Sequence, residues 1–361
     1  MKVTTIKPGA VWNDTEGNPI QAHGGGILTM YENGQAVYYW YGEDRRYGRH
    51  PLVGVRVYKS YDLLNWENSG VCFRAINYMN EFESVPYFKE LYKDVPIETK
   101  NELYKDLYMN TTVMERPKVI YNAKNNNYVL WFHADGTTAQ SVHLYAKAKA
   151  AVAISDSPLG PFKLLGSYKL DHYGGESGFD DPGMARDMTL FQDGTDAYIA
   201  YTSEHNATLY ISKLNDDYTM VQSGGVGSAK YNPKPGIDYV RIFADEYREA
   251  PALMRYQDSY YIITSGCTGW EPNAAMYAKA KDVLGEWTIV GSPCIGDESN
   301  TTFDSQSTFA LPLNEENGKY LYLGDRWNAE NLSDSRYIWL PLDFTNDGKI
   351  EITWADEWML T

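Results

Sequence analysis

A fivefold internal repeat runs through this chain. A short strand, an Asp-bearing turn and a second strand recur with the Asp at positions 62, 156, 216, 282 and 343, in steps of 94, 60, 66 and 61 residues. Ahead of each unit lies a Tyr-rich apolar strand: 36–41, 128–132, 197–202, 260–264 and 320–324. Each is introduced by turn residues such as Asn33-Gly34 or Asp193-Gly194. Before each turn comes one more strand, at 26–30, 117–121, 188–191, 252–255 and 308–313. The chain therefore reads as all-β, with five copies of a four-stranded antiparallel sheet. Radial repetition of such sheets is a β-propeller. A β-sandwich is the alternative, and the even spacing favours five blades of one propeller over residues 1–361. The long first step places an insertion at 74–112. Its Lys, Glu, Leu and Tyr residues between Tyr87 and Tyr108 are at loosely helical spacing. We expect a helix-bearing loop at one mouth of the propeller, either a lid or a solvated decoration.

Charge narrows the partners. Thirty-two Lys and Arg against 48 Asp and Glu leave −16 at pH 7, which argues against nucleic acid or an anionic membrane. No stretch reaches the roughly 18 apolar residues of a membrane span. The start has no apolar signal region, so the expected location is the cytoplasm, or outside the cell if a signal was trimmed. The three cysteines, Cys72, Cys267 and Cys294, show no paired spacing, so neither a disulfide framework nor a zinc site is expected. Tyr (31) and Trp (10) are abundant. Strand propensity accounts for most of them, and the same flat rings with polar tips suit sugars.

One polar residue stands at the start of each innermost strand: His23, Glu115, Asp187, Glu249 and Gln306. In a propeller these starts converge on one end of the central channel and make a concave pocket holding three carboxylates. Glycosidic cleavage needs a proton donor and a group that handles water or attacks the sugar. Crowded carboxylates raise one another's pKa and keep one protonated near neutral pH. The plainer reading, that such residues cap strands or hold a central water or ion, fits any one of them better than the set.

The segments carrying these residues resemble glycoside hydrolase family 43. They are Glu115-Arg116-Pro117-Lys118, Ala185-Arg186-Asp187-Met188, Ser203–Leu209, Arg248-Glu249-Ala250-Pro251, Thr264–Asn273, Ser305–Phe309 and Gly324–Trp327. The likeness runs from about residue 20 to 360 outside the insertion and is nearest to the exo-β-1,3-galactanase branch. It implies a five-bladed propeller and an inverting enzyme. By that resemblance Glu249 is the general acid, Asp187 its orienter and pKa modulator, and Glu115 a second essential acid that binds the terminal sugar. The base Asp that most of the family carries on the first blade is missing from Gln21–Gly26. In its place Gln306 matches the glutamine that positions or activates water. It would do so as an imidic acid, or by orienting water while Glu115 takes the proton; we favour water positioning. Glu43, Tyr145, Asn206, Thr268, Trp270, Trp327 and His23 are further candidates for touching the sugar.

The resemblance implies release of terminal galactose from β-1,3-galactan or its oligosaccharides. A galactofuranosidase or arabinofuranosidase, and a sugar-binding propeller without activity, are the alternatives. No catalytic metal or cofactor is expected; a structural cation on the propeller axis is possible, since some family members hold one. The partner is an oligosaccharide or polysaccharide, and oligomeric state is left open.

Overall fold

The computed structural model describes residues 3–173 and 181–360. Blade one is β1 (His23–Glu32), β2 (Gln35–Glu43), β3 (Gly54–Ser60) and β4 (Glu67–Arg74). Three helices follow, α1 (Glu81–Ser84), α2 (Pro86–Leu91) and α3 (Ile97–Leu107). Blade two is β5 (Thr112–Asn122), β6 (Asn127–Gly136), β7 (Lys149–Ser155) and β8 (Lys163–Tyr168), and blade three is β9 (Met188–Asp193), β10 (Asp196–Ser203), β11 (Thr208–Lys213) and β12 (Tyr239–Ile242). Blade four is β13 (Arg248–Tyr256), β14 (Ser259–Gly266), β15 (Met276–Ala280) and β16 (Thr288–Gly291). Blade five gathers β17 (Cys294–Ile295), β18 (Gln306–Asn314), β19 (Lys319–Arg326), β20 (Arg336–Phe344) and β21 (Ile350–Thr353). This is the five-bladed propeller of the repeat, with four antiparallel strands in each blade.

Each strand face belongs to a different core. Side chains alternate across a strand. In β10, Ala197, Ile199 and Tyr201 pack towards blade two, while Tyr198 and Ala200 pack towards blade four. In β19, Tyr320 and Tyr322 face blade four, and Leu321 and Leu323 face blade one. Five inter-blade layers result, and strands buried on both faces read as nearly unbroken apolar runs. Tyrosine hydroxyls tie these layers to loop backbone: Tyr58 accepts from Gln21 N, and Tyr337 accepts from Ala22 N and donates to Ile20 O, each at 2.9 Å. The ends of the chain meet where Ile6 and Trp358 exchange two backbone hydrogen bonds.

The repeat is less regular than its sequence. Asp62 and Asp282 cap turns by accepting backbone N–H bonds, from Leu64 and Asn65 and from Leu284. Asp343 instead lies within β20 and pairs with Lys319. In blade three the fourth strand joins only after a long loop, 214–238, and blade five carries a fifth strand, β17, parallel to β21.

The insertion differs from the expectation more plainly. It holds three helices, and Phe82, Phe88, Tyr92, Leu103 and Leu107 join the core shared by blades one and two. Its aromatic spacing serves packing, so it is a wedge between two blades and not a lid.

Asp171 supplies a pH-dependent element of stability. It is fully buried in blade three, its Oδ1 accepts from Ser223 and its Oδ2 has no partner. Burial pushes its carboxyl up to about 6. A carboxyl raised on folding binds its proton more tightly in the native state, so its contribution is complete below about pH 4 and is lost as pH rises through about 6. We expect Asp171→Asn to stabilise the protein at pH 8, by up to about 3 kcal/mol, and to change little at pH 4. Thermal denaturation at the two pH values checks this.

Candidate active site

The inner strands build the site with a shared device. A register shift follows His23 in β1, Glu115 in β5 and Glu249 in β13. In each the next residue is left-handed: Gly24 (φ +57°), Arg116 (+57°) and Ala250 (+54°). Such bulges bend a strand and re-aim its side chains. In β5 and β13 a proline follows, giving Glu-Arg-Pro and Glu-Ala-Pro the same geometry.

On the first blade, glycine makes room for a neighbour's acid. A Cβ on Gly24 would lie 2.2 Å from Glu43 Oε1, and one on Gly26 2.5 Å from Lys118 Cδ. The carboxylate of blade one therefore comes from the end of β2, as Glu43, and not from β1. His23 is turned away from the pocket. It is fully buried, its Nδ1 lies 3.2 Å from Asp325 Oδ1, and its ring stacks on Tyr337. It is a structural residue beneath the site.

The pocket is a cavity of about 440 Å³. Glu43, Glu115, Tyr145, Asp187, Asn206, Glu249, Trp270, Gln306 and Trp327 all line it. Thr268 does not, because its hydroxyl donates to Glu271 O and accepts from Asn273 within its own turn. Residues 74–112 contribute nothing to the lining.

Two sides of the pocket differ electrically. On one, Glu115 accepts from Tyr145 Oη (3.0 Å) and pairs with Arg45 (3.2 Å) and His133 Nδ1 (3.4 Å). Burial alone would raise its carboxyl, but the His133, Arg45 and Tyr145 contacts hold it well below the usual carboxylate range. Glu115 is thus a fixed anion and a poor base. His133 is itself anchored by Asp135 at 2.9 Å, and these acids overcome burial to raise it to about 9. Glu43, raised by burial, is bound by Arg45 and by the Arg116 backbone N–H.

On the other side stands Glu249, pushed up to about 8 by burial and by the charge of Asp187. At neutral pH it carries a proton. Asp187 is held by Arg116 Nε at 3.0 Å. The Gln306 amide is fully engaged. Its Oε1 accepts from Arg116 and from Trp327 Nε1 (2.9 Å), and its Nε2 donates to Glu249 Oε1 (2.9 Å) and Ser265 Oγ (3.0 Å). Arginine and indole only donate, which fixes the amide orientation. It also disfavours the imidic acid, whose O–H would face two donors.

Residues not singled out from sequence complete the site: Arg45, Arg49, Arg116, His133, His143, Arg186, Cys267 and Gly269. Two signals pointed to some of them. Arg116 and Arg186 directly adjoin the chosen acids, and His133 is the cross-strand partner of Glu115.

Glu115, His133 and Asp187 also bring one ligand-type atom each to within 4.8 Å of the others. Arg45 pairs with Glu115 and Arg116 with Asp187, and His133 lies between Glu115 and Asp135. The group is an ion-pair network. In the central channel below, the Lys118 amine donates to Gly24 O at 2.8 Å, and burial lowers its pKa to about 7.

An acid kept protonated beside a fixed amide, facing an anchored anion, is the equipment of sugar hydrolysis. Comparison with known proteins decides the family. The model of "Glycosyl hydrolases family 43" matches residues 117–308. A family 43 β-1,3-galactosidase solved with galactodeoxynojirimycin is 35% identical, with 98% of this chain and 100% of that one covered and a TM-score of 0.77. The chain belongs to glycoside hydrolase family 43. Two further members extend the likeness. The exo-β-1,3-galactanase of Phanerochaete chrysosporium, solved with β-1,3-galactotriose, is 31% identical over 99% of this chain and 68% of that one, with a TM-score of 0.75. The exo-β-1,3-galactanase of Clostridium thermocellum is 33% identical over 98% and 66%, with a TM-score of 0.74. No curated protein matches the chain. Within this family 43 framework, Glu249, Gln306 and Glu115 line one pocket.

Proposed function

We propose that the chain is an inverting, exo-acting hydrolase that releases terminal galactose from β-1,3-galactan or oligosaccharides derived from it. The observation that carries this reading is Glu249, raised to about 8 and in contact with an amide whose every hydrogen-bonding position is taken. The terminal sugar enters the pocket and its hydroxyls meet Glu115, Tyr145 and Asn206. Glu249 gives its proton to the glycosidic oxygen as the bond breaks. Glu249 and Gln306 Nε2 touch at 2.9 Å, so the entering sugar must part them before the amide can orient water on the face opposite the acid, where an inverting pair stands about 6.5–9.5 Å apart. The water attacks a sugar that already carries oxocarbenium-like positive charge, and its surplus proton passes to bulk solvent as the new C–O bond forms, because neither the Gln306 amide nor the held Glu115 accepts it. Glu115, held as an anion, steadies the positive charge on the sugar.

The galactose assignment is supported by the named activities of the similar family members, which gives it preference over a furanosidase or a silent sugar-binding propeller. Product analysis on linear β-1,3-galactan tests it. Galactose is expected as the sole small product. Bound but uncut galactan would point to a binding module, and release of galactofuranose or arabinofuranose from other substrates to a furanosidase.

A further inference from the structure

Arg49 stands apart from the other arginines of the pocket. It lies on the loop between β2 and β3, and its guanidinium carbon sits 5.6 Å from the ring centroid of Tyr145 and 5.4 Å from that of Trp270. Tyr145 comes from blade two and Trp270 from blade four, so a side chain of blade one reaches across the mouth. The other cations of the lining already have acids. Arg45 is paired with Glu43 and Glu115, Arg116 with Asp187, and Arg186 lies 3.7 Å from Asp135. Among the described residues no carboxylate lies within ion-pair distance of Arg49, and none of its five N–H groups donates to a protein acceptor. In a chain with a 16-charge excess of acids this is unexpected.

We propose that Arg49 recognises a carboxylate on the substrate, so that the preferred substrates are galactan oligosaccharides bearing a uronic acid on the galactose next to the terminal one. The proposal rests on the galactosidase reading above and specifies the substrate class of that same pocket. A neutral galactose has no need of an uncommitted full charge at the mouth. A guanidinium is the side chain that matches a carboxylate with two parallel hydrogen bonds. Aromatic faces on two sides hold it by cation–π attraction and shield it from water, while its in-plane donors remain available. A pair formed there is better protected than one on open surface, where ion pairs contribute little. Arg49 lies against Tyr145 and Trp270 and not against Glu249 or Gln306, and its carboxylate partner is assigned to the leaving side of the substrate.

Three substrates test this: β-1,3-galactobiose, the same disaccharide with glucuronic acid on O6 of its reducing galactose, and the methyl ester of that trisaccharide. The ester keeps the shape and removes the charge. In the unaltered protein, kcat/KM for the acid is expected to exceed that for the ester about tenfold. Arg49→Gln should bring the ratio to about one, and Arg49→Lys should leave it in between, because an ammonium cannot bind both oxygens in a fork. A ratio of one in the unaltered protein, or an unchanged ratio in Arg49→Gln, with galactobiose still cleaved, overturns the role of Arg49 alone. Failure to cleave galactobiose at all overturns the galactosidase reading and this inference with it.

Discussion

Glu249→Gln is expected to lower kcat on β-1,3-galactobiose by about a thousandfold, within the range that positioned proton transfer contributes. Glutamine keeps the shape and the contact with Gln306 but has no proton to give. A general acid matters only where the leaving group needs protonation. On 2,4-dinitrophenyl β-galactoside, whose leaving group departs as a stable anion, the same variant should lose less than about tenfold, by the same proton-transfer argument. An equal loss on both substrates would make Glu249 a binding residue. The unaltered enzyme should follow the same proton in its pH profile. Burial and the charge of Asp187 raise Glu249 to about 8, so the acid form prevails below that pH and kcat/KM falls above it. A basic limb near pH 5 would mean that the carboxyl is not raised.

Arg116→Met should have the next largest effect, a loss of kcat of about a hundredfold or more. Arg116 holds Asp187, the Gln306 oxygen and the carbonyl of Ser307. Removing it leaves a buried acid and an amide without their donor, and breaking a buried pair from one side costs roughly 3–5 kcal/mol of stability. The pH profile separates this from simple damage. Arg116 favours the ionised form of Glu249, and without it Asp187 acts unopposed. The basic limb of kcat/KM should therefore move to higher pH. A limb that stays in place, or moves down, would show that Arg116 does not act on the acid.

The fold was legible because propeller strands are buried on both faces and their turns recur. What failed was local. The Asp of the repeat caps a turn at Asp62 and Asp282 but lies inside a strand at Asp343, since a turn signal and a mid-strand acid look alike in one sequence. One helix in 74–112 was visible where the structure has three, and nothing showed that Phe82 and Phe88 would enter a core between blades, because the partner of an apolar face is a tertiary fact.

For the site, Glu115, Asp187, Glu249 and Gln306 were placed by strand position, and the structure brings them to one cavity. His23 occupies the equivalent strand position and misses the pocket, because glycines after it let Glu43 cross from β2. The arginines went unweighed. Their importance comes from which acid each one meets across blades, and no spacing along the chain encodes that.

Glu249 and Gln306 are expected to cleave a β-galactoside with inversion. Proton NMR of β-1,3-galactobiose mixed with the enzyme, read at the anomeric signals in the first minutes, tests it most directly. α-Galactose should appear first, and β-galactose should grow in only by mutarotation. First appearance of β-galactose would contradict it, because retention requires a nucleophilic carboxylate where this site holds an amide.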